Sequence, residues 1–128
     1  MKILGLNCSY KAINHDPSAS LMIDGKIVSA IEEERFNRVK TSLGYFPYYS
    51  IKNILKYNSL SIKDIDLVVS TGETYPLLKS KIKYSLIHSF GYSPKIILTH
   101  HALSHAYGSY YSSGFDKSLV ISIDALGD

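Results

Sequence analysis

Residues 19–34, ASLMIDGKIVSAIEEE, decide the fold class. Apolar residues alternate on both sides of Asp24-Gly25-Lys26, with Ala19, Leu21 and Ile23 before it and Ile27, Ser29 and Ile31 after it. Asp-Gly between two such runs is the signature of a tight hairpin, so the stretch predicts two antiparallel strands, 19–24 and 27–34. Upstream, residues 2–8 (KILGLNC) read as a buried strand, and the polar segment 9–17 (SYKAINHDP) joins it to the hairpin as a loop. Downstream the period lengthens. Tyr48, Ile51, Ile54 and Leu55 mark one face of a helix with Pro47 near its first turn. Ser61 and Asp64 have the spacing of a capping box.

Leu67–Val69 supply a fourth strand, and Leu78, Ile82 and Leu86 a second long helix after Pro76. Ile96–Leu98 make a fifth strand, residues 101–112 a third helix, and Leu119–Ile123 a sixth strand. The predicted order is β-β-β-α-β-α-β-α-β, a mixed α/β sheet carrying helices. Three antiparallel strands followed by alternating helix and strand suit the ribonuclease-H-like half of an actin-like fold. Ending at Asp128, just beyond a strand, the pattern is expected to be incomplete.

With 128 residues the chain suits one domain, and 45% hydrophobic with 20% charged residues is enough to bury a core. The net charge of +3 is spread out, and Lys79, Lys81 and Lys83 make no continuous helical stripe, so a solvated face is expected and no nucleic-acid partner. Cys8 is the only cysteine, which rules out an internal disulfide and favours a reducing, cytoplasmic setting. At the end of a buried strand it reads as core filler before it reads as a nucleophile. The early apolar run is too short for a secretory segment and no stretch reaches transmembrane length, so no membrane is expected. Six of the 11 tyrosines fall in two clusters (Tyr45, Tyr48, Tyr49; Tyr107, Tyr110, Tyr111), which suit packing at helix surfaces better than a base-stacking platform.

The strongest chemical signal is Thr99-His-His-Ala-Leu-Ser-His-Ala106. His101 and His105 are four residues apart, so on a helix both rings project from one face and could hold one ion. The helix starts just after a strand end, where α/β sites usually lie; His100 precedes it as a capping or supporting group. Set against this are ordinary surface or core histidines. Asp124, at the tip of the predicted sixth strand, adds a carboxylate, and two imidazoles with one carboxylate suit iron or zinc with open positions. Gly127 would let a ligand approach the backbone. Asp124 also reads as a plain turn residue.

Two further segments carry chemistry. In Asn14-His15-Asp16-Pro17-Ser18-Ala19-Ser20, His15 could act as general base for a hydroxyl, and Ser18 or Ser20 could donate to an oxyanion or phosphate. The alternative is a turn built from Asn, Asp and Pro. In Glu32-Glu33-Glu34-Arg35-Phe36-Asn37-Arg38-Val39-Lys40, Arg35, Arg38 or Lys40 could hold a phosphate or carboxylate; the alternative is a solvated strand end.

Taken in order, these segments resemble the N-terminal part of the O-carbamoyltransferases of nodulation-factor and antibiotic biosynthesis. The resemblance is carried by Ile3-Leu4-Gly5-Leu6-Asn7, His15-Asp16-Pro17-Ser18-Ala19, Asp24-Gly25-Lys26-Ile27-Val28, AIEEERFNR over 30–38, HALSHAYGSYYSSGFD over 101–116, and Ile123-Asp124-Ala-Leu-Gly-Asp128. Between residues 41 and 94 only the helical pattern matches.

The resemblance implies a domain like the threonylcarbamoyl-transfer protein Kae-one, with residues 1–128 as its front part. In such enzymes a second, YrdC-like domain makes carbamoyl-adenylate from carbamoyl phosphate and ATP. The first domain then moves the carbamoyl group to a hydroxyl of a sugar or natural product. It further implies that His101, His105 and Asp124 bind iron (zinc being the alternative) and that His15 is the base for the acceptor hydroxyl. On the reading of the residues themselves, Asp16, Ser18, Arg35, Arg38 and Lys40 are the candidates for meeting substrate or phosphate.

The chain departs from the family in a longer loop before His15, with Ser9 to Asn14 inserted, and in lacking the fourth metal ligand, the downstream lobe and the adenylate-forming domain. Alone it is expected to be inactive, a truncated, split-gene or cut piece whose missing lobe a partner chain or an oligomer supplies. The alternatives are a threonylcarbamoyl-transfer or hydrogenase-maturation relative, against which Glu32–Phe36 argues, and a non-catalytic remnant acting as an interaction module.

Overall fold

The computed structural model describes residues 1–10 and 15–124. Its centre is one five-stranded sheet built from β1 (Lys2–Asn7), β2 (Ser18–Ile23), β3 (Lys26–Glu32), β4 (Leu67–Thr71) and β5 (Lys95–Thr99), in the order β3-β2-β1-β4-β5. β1 pairs antiparallel with β2 and β2 with β3, while β4 and β5 run parallel to β1. The hairpin turns at Asp24 and Gly25 as the sequence predicts, with φ of 48° and 82°, the paired positive values a two-residue primed turn requires.

The helices are α1 (Glu34–Asn37), α2 (Tyr48–Tyr57), α3 (Leu78–Phe90) and α4 (His101–Ser113). A 3-10 turn at Ile62–Asp64 carries the predicted capping box, the Ser61 hydroxyl and amide both donating to the Asp64 carboxylate. Those bonds, the hydroxyl's first, hold the Asp64 carboxyl below its ordinary value. None of the described helices is long and apolar enough to cross a membrane.

Period-two alternation divides the sheet. Leu4, Leu6, Ala19, Leu21, Val68 and Ile96 face one way and are buried, covered by Ile51, Ile54 and Leu55 of α2 and by Leu78, Ile82 and Leu86 of α3. The opposite face carries Gly5, Asn7, Ser18, Ser20, Val69 and Thr71, none of them buried. Cys8 belongs to the covered core, and burial pushes its thiol well above the ordinary range, so it supplies no thiolate nucleophile at neutral pH. Lys79, Lys81 and Lys83 stand on the solvated side of α3, with the Lys81 ammonium over the Tyr10 ring. Of the tyrosines, Tyr48 stacks on Phe90, whereas Tyr107 and Tyr111 stand exposed.

Three expectations are corrected. Ile27 does not face the core: the register shifts between Leu21 and Met22, so Ser29 opposes Leu21 but Ile27 opposes Met22 and turns to the open side, 65% exposed. One extra residue in β3 reverses the parity of a strand end.

The second correction concerns 32–34. The strand stops at Glu32, Glu34 opens α1, and Glu33 between them is buried. Its carboxylate accepts the Tyr49 amide at 3.0 Å, the Ser50 amide at 2.8 Å and the Ser50 hydroxyl at 2.7 Å. It thus satisfies the first-turn donors of α2, which has no side-chain cap of its own.

Third, Leu119–Ile123 forms no strand. The segment pairs with none of the five strands, and Leu119, Ile121 and Ile123 are 87%, 70% and 91% exposed. An apolar run becomes a strand only where a neighbour takes up its backbone donors and acceptors, and neither described sheet edge does so here.

Candidate metal centre

The C-terminal ends of β1, β4 and β5 meet the start of α4 at one edge of the sheet. An open cleft of about 820 Å³ lies there, lined by Asn7, Ser18, Thr71, Thr99, His101 and His105 among others. It extends over the open sheet face, whose floor is low because Gly5, Ser20 and Ala30 stand side by side across β1, β2 and β3.

Helical spacing brings the histidine rings together as expected, their centroids 4.6 Å apart and their planes at 77°. His101 Nε2 lies 2.6 Å from Asp124 Oδ2, His105 Nε2 3.1 Å from His101 Nε2, and His105 Nε2 3.5 Å from the same Asp124 oxygen. Among the described residues this is the one group of three potential ligands whose donor atoms converge, all within 4.8 Å of one another.

The donor set fits a metal ion. Ligands about 2.1 Å from a common ion are separated by roughly 3.0 to 3.4 Å, depending on the angle between them. The two longer separations are close to that range, and the shortest is a hydrogen bond that an ion would replace. Asp124 reaches the pair from an irregular segment instead of a strand tip. Gly127, the predicted point of close backbone approach, lies outside the described residues.

His100 is the residue before α4; its carbonyl accepts the Ser104 amide and hydroxyl, while its side chain makes no cap. Two hydroxyls that spacing alone did not single out hold the base of α4. Thr99 Oγ1 lies 2.7 Å from Ser104 Oγ and 3.3 Å from the Ser70 carbonyl. Both are visible in the sequence, one at the strand end and one between the histidines.

The His15 loop is anchored beside the cleft without lining it. Asn7 Nδ2 donates to the His15 and Asp16 carbonyls at 2.9 and 3.0 Å, and the Asp16 amide donates to the Thr41 carbonyl at 2.8 Å. The imidazole is exposed, with Nδ1 against the Asp16 carboxylate. Part of the preceding loop, residues 11–14, lies outside the described residues. Arg35 reaches the cleft, its guanidinium 3.0 Å from Glu32 and 3.4 Å from Glu34. Arg38 and Lys40 are exposed and do not line it.

Sheet order, cleft and helix positions define a domain of the ribonuclease-H-like type. The solved structure of YeaZ from Pseudomonas aeruginosa superposes with a TM-score of 0.59 at 14% identity, over 88% of this chain and 50% of that one. A second structure, of an uncharacterized protein with similarity to peptidase YEAZ, also from Pseudomonas aeruginosa, gives 0.52 at 14% identity.

By sequence, the chain is similar to the nodulation protein NolNO of Sinorhizobium fredii, at 34% identity over 89% of its length. It is also similar to an uncharacterized protein of Synechocystis, at 28% over 98%, and to one of Methanocaldococcus jannaschii, at 33% over 89%. It spans 20%, 26% and 21% of those three proteins. No family model matches it.

Proposed function

We propose that residues 1–128 are the front part of the Kae-one-like domain of an ATP-dependent O-carbamoyltransferase, with an iron site at His101, His105 and Asp124. The observation that carries this is the convergence of those three donor atoms at the strand-end edge. It gains weight from the likeness to NolNO over 89% of this chain.

Two imidazoles and a carboxylate hold Fe²⁺ or Zn²⁺ with positions left open, and iron is our assignment. A bound ion there would supply Lewis-acid stabilisation to a phosphate group such as that of carbamoyl-adenylate. The chain's own residues do the remaining work. The contact of His15 Nδ1 with Asp16 leaves Nε2 as the atom that takes the proton from an acceptor hydroxyl. Ser18 offers a hydroxyl donor on the cleft wall. Of the three basic candidates Arg35, which lines the cleft, would hold the donor's anionic group, exchanging its contacts with Glu32 and Glu34 for phosphate oxygens.

Anaerobic titration of the chain with Fe²⁺, and separately with Zn²⁺, tests the site. One equivalent is expected to bind, and His101→Ala or His105→Ala is expected to weaken binding by at least about a hundredfold, since even groups behind the ligands are worth ten- to a hundredfold. Saturable binding that both variants retain, or no binding at all, refutes it. With carbamoyl phosphate, ATP and an amino sugar, the 128 residues by themselves are expected to give no turnover.

A further inference from the structure

α4 carries both proposed metal-binding histidines, yet none of its 13 residues is buried and its N-terminus has no side-chain cap. No fully buried apolar side chain fixes its rotation: Leu103, Tyr107 and Tyr111 on one side are 50%, 56% and 77% exposed, and Ala102, Ala106 and Tyr110 on another are only half-buried. Rotation matters here. Turning a helix by one residue moves each side chain through about 100°, which would carry the histidines away from Asp124.

The first turn instead meets the sheet through hydroxyls. Thr99 ends β5, and its Oγ1 lies between the Ser70 carbonyl at the end of β4 and Ser104 Oγ in the first turn of α4. Ser104 in turn contacts the His100 carbonyl at 3.1 Å. Each hydroxyl has one proton, so two arrangements are available. Ser104 donates to Thr99 while Thr99 donates to Ser70, or Thr99 donates to Ser104 while Ser104 donates to His100. Either way the Thr99–Ser104 bond persists. Ser104 sits three residues after His101 and one before His105, so this bond fixes the side of α4 that both rings share.

We infer that Thr99 and Ser104 are positioning residues that lock the rotation of α4 and so aim His101 and His105 at the cleft. As a metal-site statement this rests on the reading given under Proposed function. The test uses Thr99→Val and Ser104→Ala, with Thr99→Ser and Ser104→Thr as conservative partners that keep the hydroxyl.

Two measurements are made on each protein. Without metal, amide residual dipolar couplings report the orientation of residues 101–113 relative to the sheet. Thr99→Val and Ser104→Ala are expected to change those couplings, leave those of β1, β2 and β4 in place, and be reversed by the conservative variants. With Zn²⁺ as probe, the same two variants are expected to lose about tenfold in affinity, the scale of groups that orient ligands, and the conservative pair to recover it.

Unchanged couplings in Thr99→Val and Ser104→Ala overturn the inference whether or not the wild type binds zinc. Changed couplings with wild-type zinc affinity overturn its metal part. A wild type that binds no zinc, with couplings that change as expected, refutes the metal reading and leaves the hydroxyl lock standing.

Discussion

The two faces of the sheet are made by the same strands and differ in what they bury. In β1, Leu4 and Leu6 go to the covered side while Gly5 and Asn7 go to the open one; in β2, Ala19 and Leu21 are covered while Ser18 and Ser20 are open. The covered side excludes water beneath α2 and α3. The open side stays low and polar toward the edge where His101 and His105 stand. Each strand therefore carries stability on one parity and the cleft on the other, and changes on one side should leave the other largely untouched.

Breaking the covered side gives the largest expected effect. Leu21 is fully buried at the centre of the core, so Leu21→Ala should cost about 2–5 kcal/mol through lost burial and the cavity left behind. Ile97 lies on the open parity of β5 and is 40% exposed, and Ile97→Ala should cost about 0.5 kcal/mol. Urea unfolding of the two variants checks the contrast; comparable losses would mean that the open side carries as much of the fold as the covered one.

Glu33 is an intermediate case, because it sits where β3 gives way to α1 and its carboxylate reaches across to α2. Glu33→Ala leaves the Tyr49 and Ser50 amides and the buried Ser50 hydroxyl without their acceptor, for which about 1–3 kcal/mol is expected. Glu33→Gln should recover part of this, since an amide presents one acceptor oxygen where the carboxylate presents two. Equilibrium unfolding measures both, and full stability in Glu33→Ala would show that water replaces the carboxylate at the start of α2.

The strands and long helices of this fold were legible because periodicity reports burial, and the hairpin was legible because Asp24-Gly25 needs two positive φ values. What escaped depends on pairing across the chain. The bulge that turns Ile27 outward is a property of two strands in register, not of either sequence. Glu33 looked like its two neighbours because nothing local says that one acid of three will meet a helix 16 residues away. Leu119–Ile123 looked like a strand because composition cannot reveal whether a partner strand is present. At the candidate site, i to i+4 spacing was enough to bring His101 and His105 together. That Arg35 lines the cleft while Arg38 and Lys40 do not depends on where the strand stops and α1 begins.

The smallest effect sharpens the comparison most, because its sign depends on the open side alone. A methyl group added at Gly5 would come within 2.6 Å of Ser20 Oγ, while the Ser20 carbonyl and Cβ lie at 3.9 and 4.0 Å, ordinary contact distances. Gly5→Ala should therefore be neutral or mildly destabilising, the gain from a less flexible unfolded chain being offset by displacement of that hydroxyl. In a Ser20→Ala background the close contact is gone, and Gly5→Ala should stabilise by about 0.4–1 kcal/mol. A double-mutant cycle by urea unfolding should return a coupling of about 1 kcal/mol, in the range found for residues in direct contact. If instead Gly5→Ala destabilises equally in both backgrounds, the small floor of the cleft is set by the backbone of β1, and the independence of the two faces fails at its centre.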